Sequence, residues 1–348
     1  MDYGGGMQNG AMSEGGYKIE IRKTENTILI ILFASLMVFL VIAAIAVGKE
    51  GLRTFASQIG SVNLFYYAGA LFCVFASDFI GFPKWQRFIE KLQINIDWKK
   101  NLPIYLSMFS MDITPGRWGR AAVAYTVNRI TGVKFAQIFP AVVADILTDF
   151  LGFISIALVS SFLVRKYALI SIIISVLLLI PFIFIYIRQP FDYVRRKFRK
   201  VKRLRRIFDA GNLYFRHSRY LDRGAYLYAM LFTIPSMLLN GAALYLVMLS
   251  FGIHIGPALL PTVFFIYTSS FLLGMVTGVP GTLGVTDAAL LSYILVFFRG
   301  YGVDFGLASA ITIFFRFASI WFSEGMGCLS LIYTLRFWKT PHAAKRTF

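Results

Sequence analysis

Charge and cysteine are both scarce in this sequence. Only 15% of the 348 residues are Asp, Glu, Lys or Arg, whereas soluble chains contain about 25%. Hydrophobic residues make up 57% of the chain, with 35 phenylalanines, and this excludes a disordered protein, because disorder requires low hydrophobicity. The two cysteines, Cys73 and Cys328, lie within apolar stretches, which excludes a disulfide scaffold. The composition indicates an integral membrane protein.

Acidic residues are rarer still than basic ones. The chain has 17 Asp and Glu against 35 Lys and Arg, a formal net charge of +18. Most Lys and Arg lie in the segments 84–100 and 188–223 and after Leu335. Cytoplasmic loops carry an excess of Lys and Arg, so we predict that these segments and both termini are cytoplasmic in a multi-pass protein of the cytoplasmic membrane. Attraction to anionic headgroups accounts for the 188–223 loop more simply than nucleic-acid binding does.

Six apolar stretches are long enough for membrane-spanning helices, which need about 20 residues. They are 27–48, 62–80, 135–164, 167–187, 225–251 and 305–335. Two further apolar segments, 102–134 and 257–298, are interrupted by Pro-Gly and are predicted to be re-entrant hairpins. The predicted fold class is an all-α polytopic membrane protein with six spanning helices and two broken-helix hairpins in an inverted-repeat arrangement, or eight helices if the hairpins cross fully.

The predicted organisation has five parts. A flexible Gly-rich tail precedes a first membrane half, a basic cytoplasmic loop, a second membrane half and a basic cytoplasmic tail. Their boundaries are 1–17, 18–187, 188–223, 224–335 and 336–348. Each membrane half contains one of the two broken segments.

The two breaks share the pattern P-G-x-x-G. The first consists of Pro115, Gly116 and Gly119, and the second of Pro280, Gly281 and Gly284. Matched broken helices in two halves are typical of an inverted-repeat transporter, whose substrate site lies near the membrane midplane. A half-helix that restarts after such a break presents free N–H groups, which favour anions such as phosphate. Ordinary helix kinks are the alternative, because Gly and Pro are frequent in membrane helices.

Seven charged residues interrupt the apolar segments, namely Asp78, Asp112, Asp145, Asp149, Asp287, Arg316 and Glu324. Each costs about 2.5–3.5 kcal/mol at a helix centre, so we expect them to face the protein interior. Asp145 and Asp149 are four residues apart and share a helix face. Structural ion pairs and caps are the alternative to substrate contact, particularly for Asp78 and Glu324, whose side chains could reach the membrane surface.

The predicted substrate-binding set combines the two breaks with nearby charged residues. It consists of Pro115, Gly116, Arg117, Gly119, Arg129, Asp145, Asp149, Pro280, Gly281, Gly284, Asp287 and Arg316. No catalytic residue, metal ligand or cofactor is predicted, because the 3 histidines have no partner at ligand spacing and no nucleotide-binding motif occurs. An enzymatic activity is left open.

Four motifs together resemble a known family. They read PGRWGRAAVAYTVNR, VVADILTDFLGF, PGTLGVTDAAL and FFRFASIWFSEG. They are similar to the flippase-like family named for the transmembrane region of lysylphosphatidylglycerol synthases, over about Ile28 to Leu335. The resemblance implies a protein that moves lipids between leaflets or assists the assembly of polyprenol-linked sugars. Too few residues follow Leu335 for the soluble aminoacyl-transferase domain, so lysyl transfer is not expected.

Three positions depart from the pattern of this family. Arg120 stands where the family usually has Glu, and Ile146 stands where an Arg often follows the acidic residue. Both departures argue against carrying over an ion pair at the first break. Asp287 replaces Glu but keeps its charge, and Arg316 is retained, so the resemblance implies that Asp287 and Arg316 form the functional pair.

The leading functional hypothesis is a lipid flippase or translocase. It would move an anionic phospholipid or a polyprenyl-phosphate-linked sugar, whose headgroup meets the half-helix N-termini and Arg117, Arg129 or Arg316, while Asp149 or Asp287 positions those arginines. Membrane lipids are the predicted partners, and nucleic acid is not. The alternatives are a membrane enzyme or accessory subunit of polyprenyl-phosphate glycolipid synthesis, and an ion-coupled transporter of a small solute.

Overall fold

The computed structural model describes residues 60–112, 119–164, 214–277 and 284–337, with Met37, Tyr193 and Asn212 as isolated positions. These residues form helices and no strand. Within them, five helical segments are long and apolar enough to cross a membrane, namely 64–91, 135–164, 223–250, 257–275 and 305–337. The predicted class of all-α polytopic membrane protein is therefore confirmed. The predicted spans 27–48 and 167–187 lie outside the described residues.

The first described span bends at a glycine. Helix α1 (Leu64–Ile80) is capped by Asn63, whose Oδ1 accepts the Phe65 N–H at 3.0 Å. Gly81 separates it from α2 (Phe82–Lys91). A Cβ at Gly81 would overlap the Tyr105 hydroxyl, so the glycine permits the first broken segment to pack close to this bend.

The first broken segment is built from short helices. Helix α3 (Trp98–Leu106) has 9 residues and runs into a 3₁₀ turn (Ser107–Met111), and α4 (Ala122–Thr131) has 10 residues. At 1.5 Å per residue, each helix covers about 15 Å, half of the hydrocarbon thickness. These lengths agree with the prediction that neither arm spans. The break itself, 113–118, lies outside the described residues.

Helix α5 (Phe135–Val164) is the centre of the described bundle. Of its most apolar stretch, 72% is buried, against 28% for the segment 64–91. It packs against α2, α4, α6 (Arg223–Ser250) and α7 (Leu260–Thr277). A helix surrounded by other helices can carry charged residues away from lipid, and α5 carries Asp145 and Asp149 among its buried residues.

Polar side chains join α1 and α6 inside this apolar environment. The hydroxyl groups of Ser77 and Ser236 are 2.8 Å apart, and the Asn240 amide donates to the Ser77 hydroxyl. Such hydrogen bonds between helices replace the hydrophobic driving force that helices lack within lipid.

The second broken segment has one long arm and one shorter arm. Helix α7 follows a 3₁₀ turn (Pro257–Leu259) and, with it, is long enough to cross a membrane. Helix α8 (Val285–Phe298) has 14 residues, which correspond to about 21 Å. The length of α7 favours the full crossing of the eight-helix alternative over a re-entrant arm. Residues 278–283, which include Pro280 and Gly281, lie outside the described residues.

The last described span is continuous but changes helix type. Helix α9 (Phe305–Arg316) passes through a π-helical turn (Phe317–Trp321) into α10 (Phe322–Phe337). A Cβ at Gly327 would overlap the backbone of Phe109 and Ser110. The glycine therefore allows α10 to pack directly on the 3₁₀ turn of the first broken segment.

Candidate functional site

Five charged side chains, four of them buried and Asp112 partly buried, meet between α2, α5 and the first broken segment. We call them the ion-pair cluster; its members are Lys84, Asp112, Arg120, Asp145 and Asp149. Lys84 comes from α2, and the two later aspartates come from α5. Asp112 and Arg120 lie on either side of the first break. The cluster therefore ties both arms of the broken segment to the central helix.

Arg120 is the centre of the cluster. Its Nε and Nη2 donate to the two carboxylate oxygens of Asp112 at 2.6 and 2.8 Å. Its Nη1 donates to Asp145 at 2.7 Å and to Asp149 at 3.0 Å. The planar guanidinium suits this two-pronged geometry, which a lysine cannot reproduce. One arginine therefore holds three carboxylates, with only 4% of its side chain exposed.

Lys84 binds the opposite oxygens of the α5 aspartates. Its Nζ lies 3.1 Å from Asp145 Oδ1 and forms a second ion pair with Asp149 Oδ1. Asp145 and Asp149 thus each bridge Lys84 and Arg120, as their shared helix face predicts. Because both cations contact the same two carboxylates, one cation can release a carboxylate while the other still holds it.

Among the described residues, the cluster has more negative than positive charge. Its two cations face three carboxylates, which gives these five residues a formal charge of −1. Asp78 is also buried and accepts the Ser323 hydroxyl at 2.6 Å. Glu324 is 1% exposed, and neither of its carboxylate oxygens has a hydrogen-bond partner among the described residues. Asp112 is the charged group that acts on it electrostatically.

A polar cavity of about 60 Å³ adjoins the cluster. Lys84, Arg120 and Asp149 line it, together with Asp78 and the Ser77 hydroxyl that joins α1 to α6. One water occupies about 30 Å³ in the liquid, so the cavity has room for about two waters. Charged groups within a membrane protein mark substrate or ion pathways when they line such a wet space.

A second ion pair joins the start of α8 to the end of α9, with Arg316 buried and Asp287 partly buried. Arg316 Nε is 2.7 Å from Asp287 Oδ1. The other oxygen, Oδ2, accepts the Gly284 N–H at 2.7 Å and caps α8. Gly284 has a φ of 83°, in the left-handed region that favours glycine. Arg316 also lies over the Phe271 ring, 5.5 Å from its centroid.

Comparison with known proteins identifies the family. The family model described as "Lysylphosphatidylglycerol synthase TM region" matches residues 29–324. The chain belongs to this family. No curated protein sequence matches the chain.

Membership of the lysylphosphatidylglycerol synthase transmembrane-region family is consistent with the structure throughout. The match covers every residue of the ion-pair cluster and both members of the Asp287–Arg316 pair. With five apolar helices long enough to cross a membrane, the family describes a multi-pass membrane protein involved in lipid handling.

The structure brings together part of the predicted substrate-binding set. Asp145 and Asp149 belong to the ion-pair cluster, and Asp287 contacts Arg316 as predicted. Gly119 directly precedes Arg120, and half-buried Arg129 lies at the far end of α4 from it. Five members of the set lie outside the described residues, namely Pro115, Gly116, Arg117, Pro280 and Gly281. The substrate-binding role of the whole set stays a prediction.

Two members of the ion-pair cluster, Lys84 and Arg120, differ from what the sequence predicted. The prediction of a loop at Lys84 is wrong, because this residue lies in α2 and its side chain is 4% exposed and paired with two aspartates. An available signal was its place on the apolar face of α2 with Trp85 and Phe88, which are also buried. Arg120, whose departure from the family pattern argued against carrying over an ion pair at the first break, does form ion pairs there, with three carboxylates.

The expectation that Asp78 and Glu324 could reach the membrane surface is likewise wrong. Both residues are buried, and Asp78 is held by the Ser323 hydroxyl. The physical reason is helix packing, because α10 lies against both α1 and the first broken segment.

Proposed function

We propose that this chain is a lipid translocase of the cytoplasmic membrane. Its substrate is a lipid with a phosphate-containing headgroup, either an anionic phospholipid or a polyprenyl-phosphate-linked sugar. The observation that carries the proposal is the buried pair of cations, Lys84 and Arg120, which share two carboxylates beside a polar cavity. The name of the family also contains a phospholipid, lysylphosphatidylglycerol.

Exchange of ion-pair partners supplies the proposed mechanism. A phosphate headgroup in the hydrocarbon needs charged partners, and Arg binds phosphate through the same fork that it offers to a carboxylate. In our proposal the headgroup takes the place of an aspartate on Arg120, while Lys84 keeps that aspartate paired. The buried charges would then stay compensated at each stage, which limits the cost of desolvation.

The size of the cavity requires the helices to move apart during transport. A space of about 60 Å³ holds about two waters and is too small for a lipid headgroup. The described arrangement is therefore proposed to be a closed form. Opening would separate the first broken segment from α5, because the hydrogen bonds of Arg120 to Asp145 and Asp149 join the two.

The remaining predicted residues extend this path. Arg316, with Asp287 as its partner, is proposed to provide a second phosphate contact, and Arg117 and Arg129 are proposed to guide the headgroup. The half-helix N-termini after the two breaks add positive dipole ends. With the basic segments in the cytoplasm, both chain termini are proposed to be cytoplasmic.

A charge-balanced double variant tests the proposal. In Arg120→Gln/Asp112→Asn one positive and one negative charge are removed together, so the formal charge of the cluster remains −1. We expect proteoliposomes with the unaltered protein to move fluorescent phosphatidylglycerol between leaflets faster than protein-free vesicles, and the double variant to lose this activity. Exposed Lys99→Gln is the control. Undiminished translocation by a correctly folded double variant would refute the role of Arg120.

The lipids recovered after the assay separate a translocase from an enzyme. A translocase changes only the leaflet of the lipid, whereas an enzyme or accessory subunit of glycolipid synthesis changes its mass. We expect mass spectrometry to recover the lipid unaltered.

An ion-coupled transporter of a small solute is the second candidate. The excess of buried carboxylates favours it, because Glu324 lacks a hydrogen-bond partner within the described residues and Asp78 adds a further negative charge. Such carboxylates are typical of proton relays in transporters. This candidate predicts solute uptake driven by a pH gradient, with no movement of fluorescent lipid.

A further inference from the structure

A second pocket lies at the start of α5, away from the ion-pair cluster. It has a volume of about 300 Å³ and is lined by Lys134, Gln137, Arg216, His217 and Tyr220. Lys134 directly precedes α5 and Gln137 lies in its first turn, whereas the other three belong to the segment 216–220 that leads towards α6. A pocket of this size is at the lower end of the range for small-molecule sites.

Within the described residues, no acidic side chain neutralises the cations of this pocket. None of the described lining residues is Asp or Glu. Lys134 and Arg216 are both exposed and form no ion pair with a described residue. With the His217 imidazole and the Tyr220 hydroxyl they make a set of donors that suits an anion with several oxygens.

The end of α5 adds to the positive potential. Lys134 occupies the N-terminal boundary of this 30-residue helix. Its backbone N–H donates to Gln137 Oε1 at 3.2 Å, and the Gln137 N–H donates to the Lys134 carbonyl at 2.8 Å. A helix N-terminus has a partial positive charge and favours anions. The dipole and the two side-chain cations therefore act on the same space.

Aromatic side chains indicate at which level of the membrane the pocket lies. Tyr220, which lines the pocket, is 49% exposed, and Phe135, the first residue of the membrane-spanning α5, is 44% exposed. Aromatic residues at such positions lie at the level of the lipid headgroups. The donors of the pocket would therefore meet lipid phosphates.

We propose that this pocket binds the phosphate of an anionic lipid headgroup at the membrane surface. The proposal does not depend on translocation, because binding at the surface can hold or select a lipid whether or not the protein moves it. Each basic residue near an anionic membrane surface strengthens binding by roughly a factor of five. Loss of Lys134 and Arg216 together is therefore expected to weaken binding about 30-fold.

Nanodiscs test the proposal with the full chain. Detergent-purified protein is placed in phosphatidylcholine nanodiscs with a minor share of phosphatidylglycerol, and native mass spectrometry counts the phosphatidylglycerol retained. We expect the unaltered protein to retain it and Lys134→Gln/Arg216→Gln to lose it. Lys99→Gln/Lys100→Gln removes the same charge from exposed residues elsewhere and is expected to retain it.

Two results would overturn the proposal. Equal retention by the pocket variant and the control would show that the lipid binds elsewhere. Stabilisation of the unaltered protein by inorganic phosphate as strong as that by phosphatidylglycerol, abolished in the pocket variant, would show a site for soluble phosphate. The thermal unfolding temperature of each variant in detergent checks folding. The leaflet assay is separate, so failure here leaves the translocase proposal to its own test.

Discussion

The two cationic sites of this protein differ in what neutralises them. In the ion-pair cluster, Lys84 and Arg120 are buried and share two carboxylates, and Arg120 also holds a third. In the second pocket, at the start of α5, Lys134 and Arg216 are exposed, and none of the described lining residues is acidic. A buried charge needs a partner of opposite charge within the fold, whereas a charge at the surface is solvated and can bind an external anion. We therefore propose that the pocket at the start of α5 binds an anionic headgroup at the surface. In the ion-pair cluster, by contrast, a headgroup would replace an aspartate on Arg120.

The largest effect is expected from Arg120→Ala. Its removal leaves three carboxylates with Lys84 as their only cluster cation, and breaking a buried pair in this way costs about 3–5 kcal/mol. We expect a strongly lowered unfolding temperature in detergent. The charge-balanced Arg120→Gln/Asp112→Asn variant should unfold nearer to the unaltered protein. Equal destabilisation by the two variants would mean that the packing of the Arg120 side chain, and not its charge, determines the stability of the cluster.

A somewhat smaller effect is expected at the Asp287–Arg316 pair. Asp287→Ala removes both the ion pair and the cap on Gly284, and we expect a loss of about 2–4 kcal/mol together with loss of translocation. Asp287→Asn retains an oxygen for the cap but not the charge. If both variants lose stability equally, the ion pair accounts for the effect; if Asp287→Asn is near normal, the cap does.

Lys84→Met is expected to cost less than loss of Arg120. The methionine replaces the aliphatic part of the lysine, and Arg120 still contacts Asp145 and Asp149. We expect about 1–3 kcal/mol of destabilisation and a reduced translocation rate. Exposed Lys99→Met is the matched control and should leave both unchanged. A Lys84→Met protein as stable as this control would contradict the buried pairing of Lys84.

The smallest effect is expected at the surface, from Asp222→Asn. A hydrogen bond from Lys91, at 2.9 Å, and another from the Ala225 N–H lower the pKa of Asp222 below its ordinary value. A lowered folded-state pKa stabilises the protein above the unfolded pKa, and this contribution is lost as the pH falls through the folded pKa. We expect the variant to be slightly less stable near neutral pH, with the difference vanishing in acid. A difference that persists in acid would point to the cap geometry instead of the charge.

Several features of the fold follow from local patterns. Helix α5 occupies Phe135–Val164, the same range as the predicted span, because a largely apolar stretch of 30 residues is long enough to cross the membrane as one helix. Asp145 and Asp149 share partners because residues four apart share a helix face. The contact between Asp287 and Arg316 follows the family resemblance.

Other features could not be inferred in this way. Lys84 follows a span directly, like an ordinary cytoplasmic lysine, and only the bend at Gly81 and the packing of α2 turn it towards α5. Arg120 departs from the family pattern, and the sequence did not indicate its partners. In the structure it pairs with Asp145 and Asp149 of α5. Asp78 lies 245 residues from its partner Ser323, a separation that no local pattern spans.

The amino-acid sequence alone therefore specifies a membrane protein with apolar helices, two broken segments and a small number of charges that must avoid lipid. That requirement follows from the cost of charge in hydrocarbon, which depends on residue type and depth. The choice of partners belongs to the tertiary structure. The two α5 aspartates of the ion-pair cluster meet Lys84 and Arg120 from separate segments of the chain. Packing between these distant segments, not spacing along the chain, decides that these charges face each other.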